Sequence, residues 1–411
     1  MADRYVDVLL AGGGMAAANC ARTLREGGFE GSVLLCGREP EPPYNRPPCS
    51  KGYLQGSQTR EDAYFRPAQW WDEQSIELLT RTSVLKLDTA ERVAVLSTQE
   101  SVSWDKALLA TGANVRLLRV EGGHLDGIHY LRALGNADSI RADVADAEHV
   151  VLVGGSYIGT EVAASLTLLG KRCTILMQED VTLSNGFGAQ AGGFFQGVLE
   201  EHGVQIVGGD ALARFEGSER VETVVTESGR ELRADAVVIG AGAVPDVMLA
   251  KAAGLELGEK GGVRCSAGLE TSAPGIFAAG DMCEYDSVLH GGPVRIEHWD
   301  VAFNHGRTAA LNMMGRGVTH DVVPYFFSDL ADWSSMEYVG PAYEWDEEVV
   351  RGSLADGEFS LWYLAAGRVA GALSVGRSDD LDHARRLITE HTDVSGRAAQ
   401  LADPGSDLAA L

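Results

Sequence analysis

The chain has 411 residues, 45% of them hydrophobic, with 50 glycines and a formal charge of −25; that is room for two or three domains, each with its own core, in an α/β protein rich in tight turns. Such an acidic excess argues against nucleic acid and anionic membrane surfaces as partners, and no apolar run approaches the ~20 residues that cross a bilayer. The start runs straight into a strand pattern without a charged segment and an apolar segment ahead of it, so we expect no signal peptide and a cytoplasmic protein.

In chain order, Val6 to Ala11 is a short apolar run suited to a buried parallel strand. Gly12-Gly-Gly14-Met-Ala-Ala17 follows, then a helix that Gly27-Gly28 ends, then a second strand, Ser32 to Gly37. The order strand, helix, strand begins a doubly wound sheet. A proline-rich loop, Glu39 to Lys51, comes next; fixed φ angles make it too rigid for a linker and suit it to lie over a ligand. The unit then repeats: strand His149–Val153, turn Gly154-Gly-Ser-Tyr-Ile-Gly159, a helix from Glu161 to Leu169, and a strand from Cys173. Past residue 320, Glu347 to Val375 alternates like strands with turns at Ala355-Asp-Gly357 and Ala366-Gly367, and Asp380 to Glu390 reads as one helix. The tail from Gly396 reads as mobile.

Glycines at this spacing allow a tight turn and let backbone N–H groups reach a pyrophosphate at a helix N-terminus. The third position of the first copy is Ala17, small enough for helix–strand packing; the middle position of the second is Ser156, with Tyr157 and Ile158 before Gly159. A single such turn could be only a glycine-rich connection, but both copies are followed by a carboxylate. Glu39 lies after the second strand of the first unit, and Glu179 just past that of the second, where each can accept from ribose hydroxyls. A carboxylate repels a 2′-phosphate and no Arg or Lys follows that strand, which favours NADH over NADPH. Leu108 to Ala113, with Thr111 and Gly112, and Val237 to Pro245, with Gly242, are strands that run into small-residue turns. Thr271 to Asp281 ends on Gly280-Asp281, where the aspartate can hold a polyol chain or cap a helix. Six cysteines without a CxxC and ten histidines without ligand spacing predict neither a disulfide framework nor a metal.

These segments, with Pro43-Tyr-Asn-Arg-Pro-Pro-Cys-Ser-Lys51, Arg295-Ile-Glu-His-Trp-Asp-Val-Ala302 and Tyr325-Phe-Phe-Ser-Asp329, resemble the two-dinucleotide-binding-domain flavoproteins over nearly the whole chain, and within them the ferredoxin reductase and apoptosis-inducing-factor branch. The resemblance implies an α/β fold of two Rossmann-like dinucleotide-binding domains plus a C-terminal α+β domain. It implies an FAD-binding domain at 1–118 and 246–318, an NAD(H)-binding domain at 119–245 and the C-terminal domain at 319–411. It gives Gly12, Gly14 and Glu39 the ADP half of FAD, Val84 the adenine, and Thr111, Gly112 and Arg116 the pyrophosphate. Asp281 takes the ribityl chain, Arg46 and Lys51 line the flavin, and Glu297, His298 and Trp299 border its pyrimidine side. Lys51 and Glu161 match the family's ion pair beside the flavin N5 and the nicotinamide. Read without the resemblance, Lys51 is a surface lysine and Glu161 a first-turn helix glutamate helped by the dipole.

Two departures stand out. Cys49 replaces the usual leucine of the arginine–proline–proline motif, and Phe327 stands where the family has tryptophan, which puts in doubt any role for an indole there. The expected chemistry is hydride transfer from NADH to FAD and onward delivery to ferredoxin or rubredoxin. Other acceptors remain open: a quinone, a small molecule or oxygen, a Cys49-based thiol step, or a redox-gated interaction. Acidic protein acceptors would need a local basic patch, for which Arg66, Arg81, Lys106, Arg307 and Arg316 are candidates.

Overall fold

The computed structural model describes residues 2–411. The chain forms two compact units, one of residues 1–45, 60–114 and 243–322, the other of 46–59, 115–242 and 323–411.

In the first unit, the parallel strands Ile76–Leu79, Val33–Cys36, Arg4–Ala11 and Ser101–Leu109 lie side by side, and Ile276–Ala278 joins the far end of Ser101–Leu109. Val33–Cys36 and the second half of Arg4–Ala11 are buried on both faces, as a parallel sheet between helices requires. Helix Met15–Glu26 packs on the helix Trp299–Met313. Gly306 makes that contact close, because a Cβ there would collide with the Ala16 carbonyl. Alanines and Leu24 from the first helix, Leu108, Phe277 and Ala309 share one core.

The second unit holds a parallel sheet in the order Gln205–Val207, Arg172–Leu176, His149–Val153, Ala236–Ile239, Ile128–Tyr130. It also holds an antiparallel sheet in the order Tyr325–Leu330, Ser334–Val339, Arg368–Val375, Glu358–Ala365, Glu347–Ser353. The last three are the strands expected from the alternation after residue 347, and helix Ser378–Thr389 covers the expected helix to within two residues. The architecture is the mixed α/β fold that the sequence implies.

Two expectations need correction. The second glycine turn's helix runs Tyr157–Leu168, so Glu161 lies past the first turn, and the helix dipole gives little to a carboxylate so placed. The tail from Gly396 is not loose. It forms Ala398–Ala402 and Leu408–Ala410, with Leu401 and Leu408 buried. The cause is Arg351, 4% exposed, whose guanidinium donates to the carbonyls of Leu401, Asp403, Pro404 and Ser406 and pairs with Asp380 at 3.4 Å. Composition hides this because backbone carbonyls carry the attachment. Arg351→Met should therefore lower the urea unfolding free energy of the second unit by about 3 kcal/mol, since it strands part of a buried carboxylate's charge. Limited proteolysis should find new cleavage after Gly396.

Candidate nucleotide-binding turns and a buried charge cluster

In the first unit, strand Arg4–Ala11 enters a turn in which Gly12 has φ +136°. A Cβ at Gly12 would strike the Ala110 carbonyl, so only glycine fits where the neighbouring strand presses. Gly14 caps helix Met15–Glu26 without any side-chain cap, and a Cβ placed on it would meet nothing within 4 Å. The helix thus starts with no side-chain cap and with open space beside its N-cap residue, which suits a phosphate. Ala17 is fully buried. Glu39, past the second strand, accepts from the Tyr44 hydroxyl.

Thr111 and Gly112 follow the strand Ser101–Leu109. The Thr111 hydroxyl donates to the Asp246 carbonyl at 2.5 Å, and Asp246 N–H donates to the Gly112 carbonyl. Gly280, left-handed at φ +75°, opens the turn that carries Asp281. Arg295 donates to the Asp281 carbonyl at 3.1 Å and pairs with Glu297. His298 caps helix Trp299–Met313 by accepting from Asp300 N–H, and the Trp299 indole N–H donates to Asn45 at 2.9 Å. Val84 pairs with Leu96 in the antiparallel edge of the sheet.

The second unit repeats the turn. Gly154 has φ +112° and no room for a Cβ beneath the Gly240 carbonyl. At Gly159 a Cβ would hit the Gly154 carbonyl, which is why the helix can pack so close to the strand. Ser156 is exposed at the N-cap and makes no side-chain cap. Tyr157 stacks edge-on against Phe187 at 5.7 Å, and burial pushes its phenol up, so it stays neutral. Ile158 follows in the helix. Glu179 lies just past strand Arg172–Leu176 and accepts from the Asn185 amide at 2.6 Å. Gly242 has φ +89°, and the adjoining Ala241–Gly242 segment holds Arg116, whose N–H donates to the Gly242 carbonyl.

Lys51 and Glu161 meet at 3.0 Å, with side chains 15% and 8% exposed. The sequence reading missed the groups that complete this pair. The hydroxyls of Ser50 and Ser328 donate to Glu161 at 2.5 and 2.6 Å. Asp329 is a second anion for Lys51 at 3.2 Å. The Phe327 ring lies 4.7 Å from the ammonium, within cation–π range, so an aromatic face survives the loss of the indole. A buried carboxylate and ammonium are tolerable when paired and hydrogen-bonded in this way. The signal was present as Ser50-Lys51 and Ser328-Asp329, a hydroxyl beside a charge in two quoted motifs. Ser165 donates to the Ser50 carbonyl at 2.7 Å, and Arg46 to the Arg132 carbonyl at 2.6 Å; both brace the proline-rich segment. Cys49 is buried in the short helix Pro47–Ser50, and the six cysteines form no disulfide.

Residues 6–306 match the model of the pyridine nucleotide-disulphide oxidoreductase family, and 325–411 match the reductase C-terminal domain. The chain belongs to the pyridine nucleotide-disulphide oxidoreductase family. It is 34% identical to rhodocoxin reductase of Rhodococcus erythropolis over 98% of this chain and 93% of that protein. It is 33% identical to putidaredoxin reductase of Pseudomonas putida over 94% and 93%. Among solved structures, the ferredoxin reductase for the CYP199A2 system from Rhodopseudomonas palustris superposes with a TM-score of 0.94 at 31% identity, covering 98% and 99% of the two chains. Putidaredoxin reductase in its covalent complex with putidaredoxin gives 0.92 at 32%, covering 100% and 98%. The chain is therefore an oxidoreductase, and its family implies FAD and NAD(H). Both glycine turns fit dinucleotides: each offers a bare helix N-terminus with a carboxylate one strand further on. Among the described residues no helix is long and apolar enough to cross a membrane.

The open space at Gly14 yields a test. Gly14→Ala should fold with an unfolding free energy within about 1 kcal/mol of the native apoprotein in urea, because the entropy alanine removes from the unfolded chain is offset by its poorer fit at a helix N-cap. It should bind FAD about tenfold more weakly in a fluorescence titration, because the methyl group occupies the space a phosphate would use.

Proposed function

We propose that this oxidoreductase is an FAD-dependent ferredoxin reductase that takes electrons from NADH in preference to NADPH and delivers them to a small iron–sulfur protein. The observation that carries the reading is the pair of open glycine turns, each followed by a carboxylate. Two dinucleotide cradles in one chain suit one resident nucleotide and one that exchanges. Similarity to ferredoxin reductases along almost the whole chain supports the choice of acceptor. Bound FAD would supply the acceptance of a hydride and the release of single electrons that link a nicotinamide to an iron–sulfur centre.

In this reading residues 1–118 and 246–318 form the FAD-binding domain, 119–245 the NAD(H)-binding domain and 319–411 the C-terminal α+β domain. Gly12, Gly14 and Ala17 let FAD approach the backbone, with Glu39 at the ribose and Val84 at the adenine. Thr111, Gly112, Gly280 and Asp281 take the pyrophosphate and polyol, and Glu297, His298 and Trp299 the ring. Gly154, Ser156, Tyr157, Ile158, Gly159 and Gly242 shape the NAD(H) turn. Arg46, Lys51 and Arg116 give charge contacts to the bound nucleotides. Lys51 and Glu161 act as a fixed pair: Glu161, held by two serine hydroxyls, keeps the ammonium in one place, so its charge is available without rearrangement. The buried Cys49 is a packing residue. Six cysteines with no disulfide among them support a cytoplasmic location.

Glu179 carries the NADH preference. Asn185 holds one carboxylate oxygen, and Gln178 to Gly186 contains no Arg or Lys to receive a 2′-phosphate. Glu179→Ala should reduce the ratio of kcat/KM for NADH over NADPH about tenfold; an unchanged ratio would move the ribose contact elsewhere.

For the acceptor, Arg66 stands out among the candidate cations. Its guanidinium lies 4.7 Å from the Phe65 ring and 5.8 Å from Trp70, and Arg22 lies over the same Phe65 at 5.8 Å. Arg22 is paired with Glu26 at 3.4 Å, so the positive charge offered here to an acidic partner is that of Arg66. Arg66→Glu should raise the KM for ferredoxin about tenfold and leave NADH–ferricyanide turnover unchanged; equal loss with both acceptors would remove the docking role.

A further inference from the structure

Behind the Gly280–Asp281 turn of the first unit sits a histidine with no role so far. His305 lies on helix Trp299–Met313 and is 0% exposed. Its Nδ1 accepts a hydrogen bond from the Gly280 N–H at 3.2 Å. Gly280 is left-handed there, and the short turn it opens carries Asp281. The other ring nitrogen, Nε2, is buried and has no hydrogen-bond partner. Its neighbours are rings: Tyr285 at 4.8 Å and His320 at 4.6 Å, both nearly perpendicular to it.

The tautomer follows from the donor. Gly280 N–H can donate only to a bare Nδ1, so the proton rests on Nε2 and the ring is neutral. Burial, with His320 alongside, agrees, holding the imidazole well below its ordinary pKa. As a packing residue this ring is a poor choice, because a buried unpartnered N–H costs stability that an apolar side chain of similar size would not. What the histidine adds over such a side chain is a single acceptor aimed at Gly280.

The same helix is fastened elsewhere to the first glycine turn's helix. Asn19 donates to the Phe303 carbonyl at 2.6 Å, and Gly306 lies against the Ala16 carbonyl. Residues 303, 305 and 306 thus tie the helix to the element behind Gly14 and to the turn that carries Asp281.

We infer that His305 is a positioning residue for the flavin: through Nδ1 its neutral imidazole fixes the Gly280 N–H, and with it the direction in which Asp281 is presented to the polyol of the bound nucleotide. It acts through the turn and does not touch the cofactor. The inference rests on the reading of the first unit as the FAD site.

The test compares purified native holoprotein with His305→Leu and His305→Asn. FAD release into flavin-free buffer is followed by recovered flavin fluorescence, the retained flavin by its absorption spectrum and the fold by far-UV circular dichroism. The leucine variant should fold, release FAD about tenfold faster and show a shifted flavin band, one lost hydrogen bond. Asparagine places an amide oxygen near the position of Nδ1 and should release FAD within about threefold of native. Native-like release from the leucine variant would overturn the inference. So would an asparagine variant as leaky as leucine, which would assign the effect to ring shape. If the leucine variant does not fold, His305→Gln, whose amide reaches past Nδ1, takes its place against asparagine. A native protein that carries no FAD would instead overturn the flavin reading of the first unit, and it would do so before any variant is compared.

Discussion

A strand can turn into a helix within three residues only where nothing projects from the backbone, and both units of this chain are built around such a turn. Gly12 and Gly154 take φ values of +136° and +112°, each under a carbonyl of the neighbouring strand, Ala110 in one case and Gly240 in the other. The pressure from that carbonyl is what excludes a side chain. The consequence lies on the other side of the turn. With the strand so near on one flank, the first N–H groups of helices Met15–Glu26 and Tyr157–Leu168 have no side-chain cap. The partial positive charge of each helix end is thereby left available to a phosphate. Sheet, helix packing and nucleotide chemistry all follow from the same steric constraint.

The charge cluster in the second unit obeys a different rule. Glu161 and Lys51 lie mostly out of water, and each would be costly there alone. Four groups share the cost of burial: Glu161 takes two hydroxyl donors, and Lys51 takes a second carboxylate and an aromatic face. A cation fixed by this many contacts needs no reorganisation when charge develops near it, the property that electrostatic stabilisation demands. The change from an indole to Phe327 leaves that face in place and removes only the ring N–H.

Much of this was legible in the sequence because it is local. Glycine spacing, the apolar runs at Val6 and His149, and the alternation after Glu347 each lie within a few residues, and the structure has elements where they lead one to expect them. The pair Lys51–Glu161 came from a resemblance, since nothing in its surroundings joins two residues so far apart in the chain. Its serines were harder still. Ser50 and Ser328 lie 111 and 167 positions from Glu161, and a hydroxyl in a loop carries no sign of what it will bind. His305 escaped for the same reason, because its partner is a backbone N–H. The tail was misread because its composition is that of a mobile segment, whereas its order comes from one buried guanidinium that holds four carbonyls. Interactions that end on the backbone leave no trace in residue identity.

Anaerobic rapid mixing tests the account most directly. The purified yellow protein is reduced with an equimolar amount of NADH and then mixed in turn with ferredoxin, a quinone and oxygenated buffer. The account predicts rapid bleaching of the flavin by NADH. It predicts reoxidation by ferredoxin that outpaces both small acceptors and changes with ionic strength. A reduced flavin that ferredoxin reoxidises no faster than oxygen does would contradict it.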